Sequence, residues 1–407
     1  MQCGLLGQTL SHSYSPQIHK KLGSYDYRLF EVAPEALKDF LSSDSFQGIN
    51  VTIPYKKSVI PYCSALSDRA KALGAVNTIV RRQDGSLIGH NTDYYGFSAM
   101  LKRSGLNVNG SKVLVLGSGG ASATVVAVLA ELGATPIVIS RSGENNYDNL
   151  HMHLDATVIV NATPVGMYPN TDKSPIDLQQ FPNLDGVLDL IYNPARTALL
   201  QQAEDMGLVT ENGLWMLVAQ AKESAEWFTG TAINDCIIGD IHKELRTQME
   251  NIALIGMPGS GKSTIGRALA KKLGKTFVDA DEEIVKEAGI LIPEIFATQG
   301  ESGFRKIETQ VLARLGKQSG LVIATGGGCV TIPKNYSHLH QNSTIIWLQR
   351  DVDKLPTEGR PLSQTNKLTD MYAIRKPLYE QFSDITISNE NSIDEVVNQI
   401  ILLLSGV

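Results

Sequence analysis

Asn251-Ile252-Ala253-Leu254-Ile255-Gly256-Met257-Pro258-Gly259-Ser260-Gly261-Lys262-Ser263-Thr264 joins an apolar strand-like run, a complete G-x-x-x-x-G-K-[ST] loop and the start of a helical pattern that continues to Leu273. Strand, loop and helix in that order predict a nucleoside triphosphate site. The glycines let the backbone wrap phosphates closely and aim N–H groups inward, Lys262 reaches the β/γ-phosphates, and the Ser263 hydroxyl meets Mg²⁺. A second glycine loop, Gly117-Ser118-Gly119-Gly120-Ala121, follows the apolar run Lys112 to Leu116 and opens a helical stretch from Ala123 to Leu132. That is the order of a dinucleotide-binding unit. At the end of the next strand, where an NAD enzyme offers Asp or Glu to the ribose 2′-hydroxyl, stand Ser140, Arg141 and Ser142. A cation with neutral donors suits a 2′-phosphate, so NADP is preferred.

The 407 residues, 43% hydrophobic and 19% charged, predict two to three globular domains. A net charge of −6 offers no basic field for nucleic acid, and no Lys/Arg run suggests a membrane surface. Cys3, Cys63, Cys236 and Cys329 are scattered without Cys-x-x-Cys spacing, which fits a reducing cytoplasm better than a disulfide framework or a zinc site. No apolar stretch reaches membrane-spanning length. His151-Met152-His153 and His338-Leu339-His340 have no third ligand at a useful spacing and read as solvated histidines.

Strand-like runs at 113–116, 135–140, 158–160, 252–255, 321–324 and 343–347 alternate with helical patterns along the whole chain, the mark of parallel sheets covered by helices. A helical stretch from Ile233 to Met249 with no Gly/Ser/Pro tether places a stiff junction near Met249.

After the P-loop come Phe277-Val278-Asp279-Ala280-Asp281, Gly300-Glu301-Ser302-Gly303-Phe304-Arg305-Lys306-Ile307-Glu308, Ala324-Thr325-Gly326-Gly327-Gly328, Glu358-Gly359-Arg360-Pro361-Leu362 and Arg375-Lys376-Pro377-Leu378-Tyr379. The two aspartates are read on one strand, where alternation points both the same way. Singly each motif is ordinary. In series they resemble shikimate kinase over residues 249–407. The resemblance implies that Asp281, Arg305 and Arg375 hold shikimate, with Asp281 also the base and Gly326, Gly327 and Gly328 closing the pocket. Ser263 and Asp279 would serve Mg²⁺. Gly259, Ser260, Gly261, Lys262, Ser263, Thr264 and the lid residue Arg360 would serve ATP. The lid segment 350–370 is shorter than is usual in the family, with Arg350 or Lys354 the remaining cations before Arg360.

In the N-terminal half, Ser11-His12-Ser13-Tyr14-Ser15-Pro16, Asn50-Val51-Thr52-Ile53-Pro54-Tyr55-Lys56, Gly74-Ala75-Val76-Asn77-Thr78 and His90-Asn91-Thr92-Asp93 precede the dinucleotide loop. Downstream stand Asn161-Ala162-Thr163-Pro164-Val165-Gly166-Met167, Asp189-Leu190-Ile191-Tyr192-Asn193-Pro194 and Gly213-Leu214-Trp215-Met216-Leu217-Val218-Ala219-Gln220. This series resembles shikimate dehydrogenase over nearly all of residues 1–248. It implies a substrate subdomain (1–101 plus 214–248) and a Rossmann NADP subdomain (102–213), ahead of a P-loop kinase-like domain (249–407). By the same resemblance Ser13, Ser15, Thr52, Asn77, Tyr192 and Gln220 bind substrate and Lys56 with Asp93 is the catalytic pair. Gly117, Gly119, Gly120, Ala121, Ser140, Arg141, Asn161, Thr163, Met167 and Gly213 would hold NADP. Residues 143–154 are too short and polar for the helix and strand usual at that point, and Lys20 stands where the family has asparagine.

The two resemblances name consecutive steps toward aromatic amino acids, reduction of 3-dehydroshikimate with NADPH and phosphorylation of shikimate with ATP. A receptor descended from such enzymes would be expected to have lost Lys56, Asp93, Lys262 or Asp281, and all four are present. An NAD enzyme acting on quinate would favour an acidic residue at Ser140-Arg141, and none is there.

Overall fold

A computed structural model of the chain describes residues 1–10, 13–355 and 368–405. Arg360, and most of the short lid segment with it, lies outside the described residues. The chain divides into two compact units, Met1–Tyr192 with Leu199–Leu245, and Asn193–Ala198 with Arg246–Val407.

The first unit holds two sheets. β1 (Gln2–Gly7), β2 (Asp26–Glu31), β3 (Gly48–Val51), β4 (Ala65–Leu66), β5 (Thr78–Arg81) and β6 (Leu87–His90) lie in the order β2-β1-β3-β5-β6-β4. Here the expectation of parallel strands throughout is corrected: β5 runs antiparallel to both β3 and β6. The connection from β5 to β6 is only a tight turn, so the strands fold back as a hairpin, whereas a parallel return needs a helix-length crossover.

The second sheet contains β7 (Lys112–Leu116), β8 (Thr135–Ile139), β9 (Val158–Asn161), β10 (Gly186–Asp189) and β11 (Val209–Asn212) in the order β11-β10-β9-β7-β8, all parallel. Apolar residues fill both faces of this sheet: Val113, Val115 and Val160 on one side, Leu114, Leu116 and Ile159 on the other. That is why these strands read as unbroken apolar runs. Strand order reverses between β7 and β9, the position where doubly wound sheets bind ligands beyond their carboxyl ends. After β8 the short polar stretch forms only the 3₁₀ segment Tyr147–His153, capped by Asn146.

In the second unit β12 (Asn251–Ile255), β13 (Thr276–Asp279), β14 (Leu321–Ala324), β15 (Ser343–Gln349) and β16 (Ile385–Ser388) form a parallel sheet in the order β13-β14-β12-β15-β16. Two apolar clusters cover its faces, one containing Ile255, Ile323 and Trp347, the other Leu254, Val322 and Leu348. β12 is central, so the loop at its end emerges from the middle of the sheet. Among the described residues no helix is long and apolar enough to cross a membrane.

Two paired-histidine readings change. His153 and His340 are buried, not solvated: His153 Nε2 meets Asn145 Oδ1 at 2.9 Å, and His340 stacks on Tyr336 with ring centroids 4.7 Å apart.

Candidate active sites

The P-loop bends sharply after β12 because Gly256 has φ +142°, and a side chain there would also press on the Leu348 carbonyl. Helix Lys262–Leu273 starts at the loop, with Gly261 as its N-cap, so its unpaired N–H groups face the phosphate region. Lys262 is buried, its Nζ donating to the carbonyls of Gly256 at 2.9 Å and Met257 at 3.0 Å. Ser263 Oγ donates to Asp279 Oδ2 at 2.6 Å. A hydroxyl and one carboxylate side by side suit Mg²⁺, which takes few protein ligands and completes its shell with phosphate and water.

The reading of two aspartates on one strand is corrected. Asp279 ends β13 and caps helix Ala280–Ala288, its Oδ1 accepting from the Asp281 N–H at 3.0 Å, so Asp281 belongs to the helix's first turn. The capping preference of aspartate ends the strand there. Burial and the neighbouring Asp279 push the Asp281 carboxyl above its usual range, against the pull of Lys262 and Arg305.

A cleft of about 750 Å³ is lined by Gly259, Gly261, Lys262, Ser263, Thr264, Asp279, Asp281, Arg305, Gly326, Gly327, Gly328 and Arg375. Of the described residues expected for this site, only Ser260 is missing from that lining. Ser260, within the loop, is fully buried. The triple glycine is a matter of contact: any side chain on Gly328 would strike the Arg305 guanidinium. Arg375 Nη1 donates to the Gly327 carbonyl at 3.2 Å.

Two residues of this site, Glu308 and Asn389, were missed, and of the two lid cations only Arg350 reaches the cleft. Glu308 is 0% exposed and accepts from Arg305 Nη1 at 2.7 Å, while its Oε1 has no hydrogen-bond partner. Its spacing of three from Arg305 on a helix was the available signal. Arg350 lines the cleft, whereas Lys354 pairs with Glu390 at 2.5 Å. Asn389 Nδ2 donates to the Ser260 carbonyl at 2.6 Å, a contact with no local sequence signal.

In the first unit, Lys56 Nζ donates to Asp93 Oδ2 at 2.6 Å, and the two side chains are 22% and 11% exposed. Asp93 opens helix Asp93–Ser104, where the helix dipole favours its negative charge. Asn77 is locked through both ends of its amide: Oδ1 accepts from Thr92 N at 2.7 Å and Nδ2 donates to Thr92 Oγ1 at 3.0 Å. Thr92 Oγ1 also reaches Gln220 Oε1 at 3.4 Å and Ser224 Oγ at 3.0 Å. Thus Lys56, Asp93, Asn77 and Gln220 form one cluster, joined by Thr92, which the sequence reading did not assign.

Ser13 and Ser15 follow β1 and Thr52 follows β3. These strands are adjacent, and Thr52 N donates to the Leu6 carbonyl at 2.9 Å. Tyr192 meets Tyr14 edge to face at 6.2 Å. Lys20 is exposed on helix Ser15–Leu22, turned away from its buried neighbour His19.

Gly117, Gly119, Gly120 and Ala121 follow β7, Ser140 and Arg141 follow β8, and Asn161 and Thr163 follow β9, so the carboxyl ends of three adjacent strands gather them. Helix Gly120–Glu131 directs its free N–H groups there, with Gly119 as N-cap. Arg141 is exposed. This combination of helix terminus and guanidinium fits a phosphorylated dinucleotide. Asn161 Nδ2 donates to the buried Asp189 Oδ1 at 3.0 Å and its Oδ1 accepts from Thr163 Oγ1 at 2.7 Å. Met167 is 47% exposed. Gly213 caps helix Leu214–Thr229 and lies so close to the Leu190 carbonyl that no side chain fits.

Residues 5–79 match the family model for the shikimate dehydrogenase substrate binding domain, and residues 258–405 match that for shikimate kinase. A shikimate dehydrogenase (NADP(+)) of Clostridium perfringens is 37% identical over 265 residues, covering 60% of this chain and 97% of that protein. Shikimate dehydrogenase 1 of Peptoclostridium difficile has a crystal structure that is 38% identical, covers 60% of this chain and 97% of its own, and superposes with a TM-score of 0.56. The structure of a chorismate mutase/shikimate 5-dehydrogenase fusion protein from Clostridium acetobutylicum is 37% identical, covers 60% and 96%, and has a TM-score of 0.57. With both residue clusters and these matches in hand, the chain belongs to the shikimate dehydrogenase family and carries a shikimate kinase domain fused behind it.

Proposed function

We propose that one polypeptide reduces 3-dehydroshikimate to shikimate and then phosphorylates the shikimate 3-hydroxyl, with Lys56 and Asp93 driving the first reaction and the P-loop cleft the second. The observation that carries this reading is the coexistence of a half-buried Lys56–Asp93 pair at 2.6 Å and a P-loop cleft lined by Asp281, Arg305 and Arg375. NADPH supplies a hydride to the first site, and ATP with Mg²⁺ supplies the phosphoryl group to the second.

In the first site, reduction of a ketone builds negative charge on its oxygen. Lys56 donates the proton that quenches it, while Asp93 fixes the ammonium in place. Asn77 and Gln220, held by Thr92, orient the ring hydroxyls; Ser13, Ser15, Thr52 and Tyr192 complete the grip. In the second site, Arg305 and Arg375 bind the acceptor's carboxylate, and their fixed charges offset repulsion between two anions. Asp281 takes the proton of the attacking hydroxyl. Its raised affinity for protons suits that task. Four free cysteines suit a reducing, cytoplasmic setting.

NADPH oxidation on adding dehydroshikimate and ADP release on adding shikimate, assayed separately on one preparation, test the reading; absence of either activity contradicts it. Cofactor choice has its own test. Replacing Arg141 by Ala removes a charged hydrogen bond to the 2′-phosphate, so the KM for NADPH should rise about 10-fold or more while that for NADH stays within about twofold. Equal changes for both cofactors would remove Arg141 from the phosphate site.

A further inference from the structure

Helix Asp93–Ser104 and helix Leu214–Thr229 cross tightly at Gly96, where a side chain would press on the Met216 carbonyl and on Gln220. The crossing brings the start of one helix, Thr92 and Asp93, against residues 220–224 of the other. Thr92 Oγ1 bonds Ser224 Oγ at 3.0 Å and approaches Gln220 Oε1 at 3.4 Å. Glu223 sits between those two contact points. Its side chain is 18% exposed, and its Oε2 is buried with no hydrogen-bond partner.

We propose that Glu223 is a positioning residue of the dehydrogenase site, a second carboxyl beside Asp93 whose charge state sets the pH range over which the Lys56–Asp93 pair transfers its proton. This rests on the assignment of that pair as the catalytic one. The surroundings of Glu223 carry both signs. From helix Asp68–Leu73, Arg69 Nη1 lies 3.7 Å from Glu223 Oε1, and its guanidinium also covers the Tyr94 ring at 4.5 Å. From helix Asp93–Ser104, Asp93 adds negative charge, and Tyr94 hands its hydroxyl to Glu131. On its own helix Glu226 adds negative charge and Lys222 positive; Lys222 is itself held by Glu226 at 2.8 Å and Asp235 at 2.7 Å.

The balance favours the neutral acid. Burial, with Glu226 and Asp93, outweighs Arg69 and Lys222 and pushes the Glu223 carboxyl up to about 7. Glu223 is therefore neutral in mildly acidic solution and gains its charge as pH rises through neutrality. The new negative charge then adds to that of Asp93, the partner of the Lys56 ammonium. In the oxidative direction Lys56 must accept a proton, so the charge on Glu223 holds the rising limb of the profile at higher pH. In the reductive direction the same charge extends activity to higher pH.

The test uses the full chain and compares the parent with Glu223→Gln and Glu223→Asp. Shikimate oxidation with NADP⁺ and dehydroshikimate reduction with NADPH are followed between about pH 5.5 and 10. For Glu223→Gln, both limbs should move to lower pH by about one unit, with kcat and KM at pH 5.5 within about twofold of the parent. Glu223→Asp should keep most of the parent profile. Superimposable parent and Gln profiles would overturn the proposal, as would an equal loss at every pH, which is the signature of a merely structural role. Lys56→Ala run alongside separates the two assignments. If it stays active, the catalytic pair is wrong and this inference falls with it; if it is inactive while the Gln profile is unmoved, only the role of Glu223 fails.

Discussion

Lys56→Ala should lower NADPH-dependent reduction of 3-dehydroshikimate by about 10³-fold and leave ATP-dependent phosphorylation of shikimate within about twofold. The size follows from the role: a positioned general acid contributes on the order of 10² to 10⁴, and Lys56 would also steady the developing alkoxide. The loss should fall on kcat. Asn77 and Gln220 are oriented by Thr92 and not by Lys56, so the ring hydroxyls keep their partners in the variant. Removing the ammonium leaves Asp93, only 11% exposed, without its 2.6 Å partner, and some loss of stability accompanies the substitution. Lys56→Gln keeps a hydrogen-bond donor and separates that cost from the chemistry. A fall in kcat/KM carried entirely by KM, with kcat intact, would place Lys56 in binding and not in proton transfer.

Lys262→Ala gives the reciprocal result, with phosphorylation reduced by about 10³-fold and hydride transfer unchanged. Lys262 is 8% exposed inside a loop whose glycines curl it around the phosphate position, and its ammonium already converges with two backbone carbonyls there. In a phosphoryl transfer the protein's contribution is mostly positioning and charge stabilisation, and deleting one preorganised electrostatic donor costs on the order of 10² to 10³. Steady-state ADP release with shikimate measures the effect. Retention of more than about a tenth of the parent rate would show that the charge inside the loop is dispensable. If both reactions vanish in either variant, the two sites do not act as separate catalysts.

Much of this was legible because the decisive features are local. A glycine loop between a strand and a helix is written in consecutive residues, and each of the six strand-like runs lies within a strand or overlaps one apart from a terminal residue. The motifs after the P-loop gather Asp281, Arg305 and Arg375 around one cleft, and those ahead of the dinucleotide loop set Lys56 against Asp93. What stayed hidden depends on partners far apart in the chain. Thr92 joins Asn77 to Gln220 and Ser224 across 128 and 132 residues, and no window contains such a link. Glu308 looked like one more charge on a helix until the Gly326 loop closed over it. Glu223 has no motif at all; burial gives it its character. Asp281 was misplaced on a strand because strand alternation and an N-cap followed by a helical turn both accept Asp-x-Asp.

Two sites on one chain that act in turn on the same cyclohexene acid fix the stoichiometry of the combined reaction. The most direct measurement supplies the purified chain with 3-dehydroshikimate, NADPH, ATP and Mg²⁺ and follows NADPH, ADP and the phosphorylated product together by mass spectrometry. One NADPH should be oxidised and one ADP released for each shikimate 3-phosphate formed. Shikimate accumulating without phosphorylated product while ATP remains, or ADP released with no product, would contradict it.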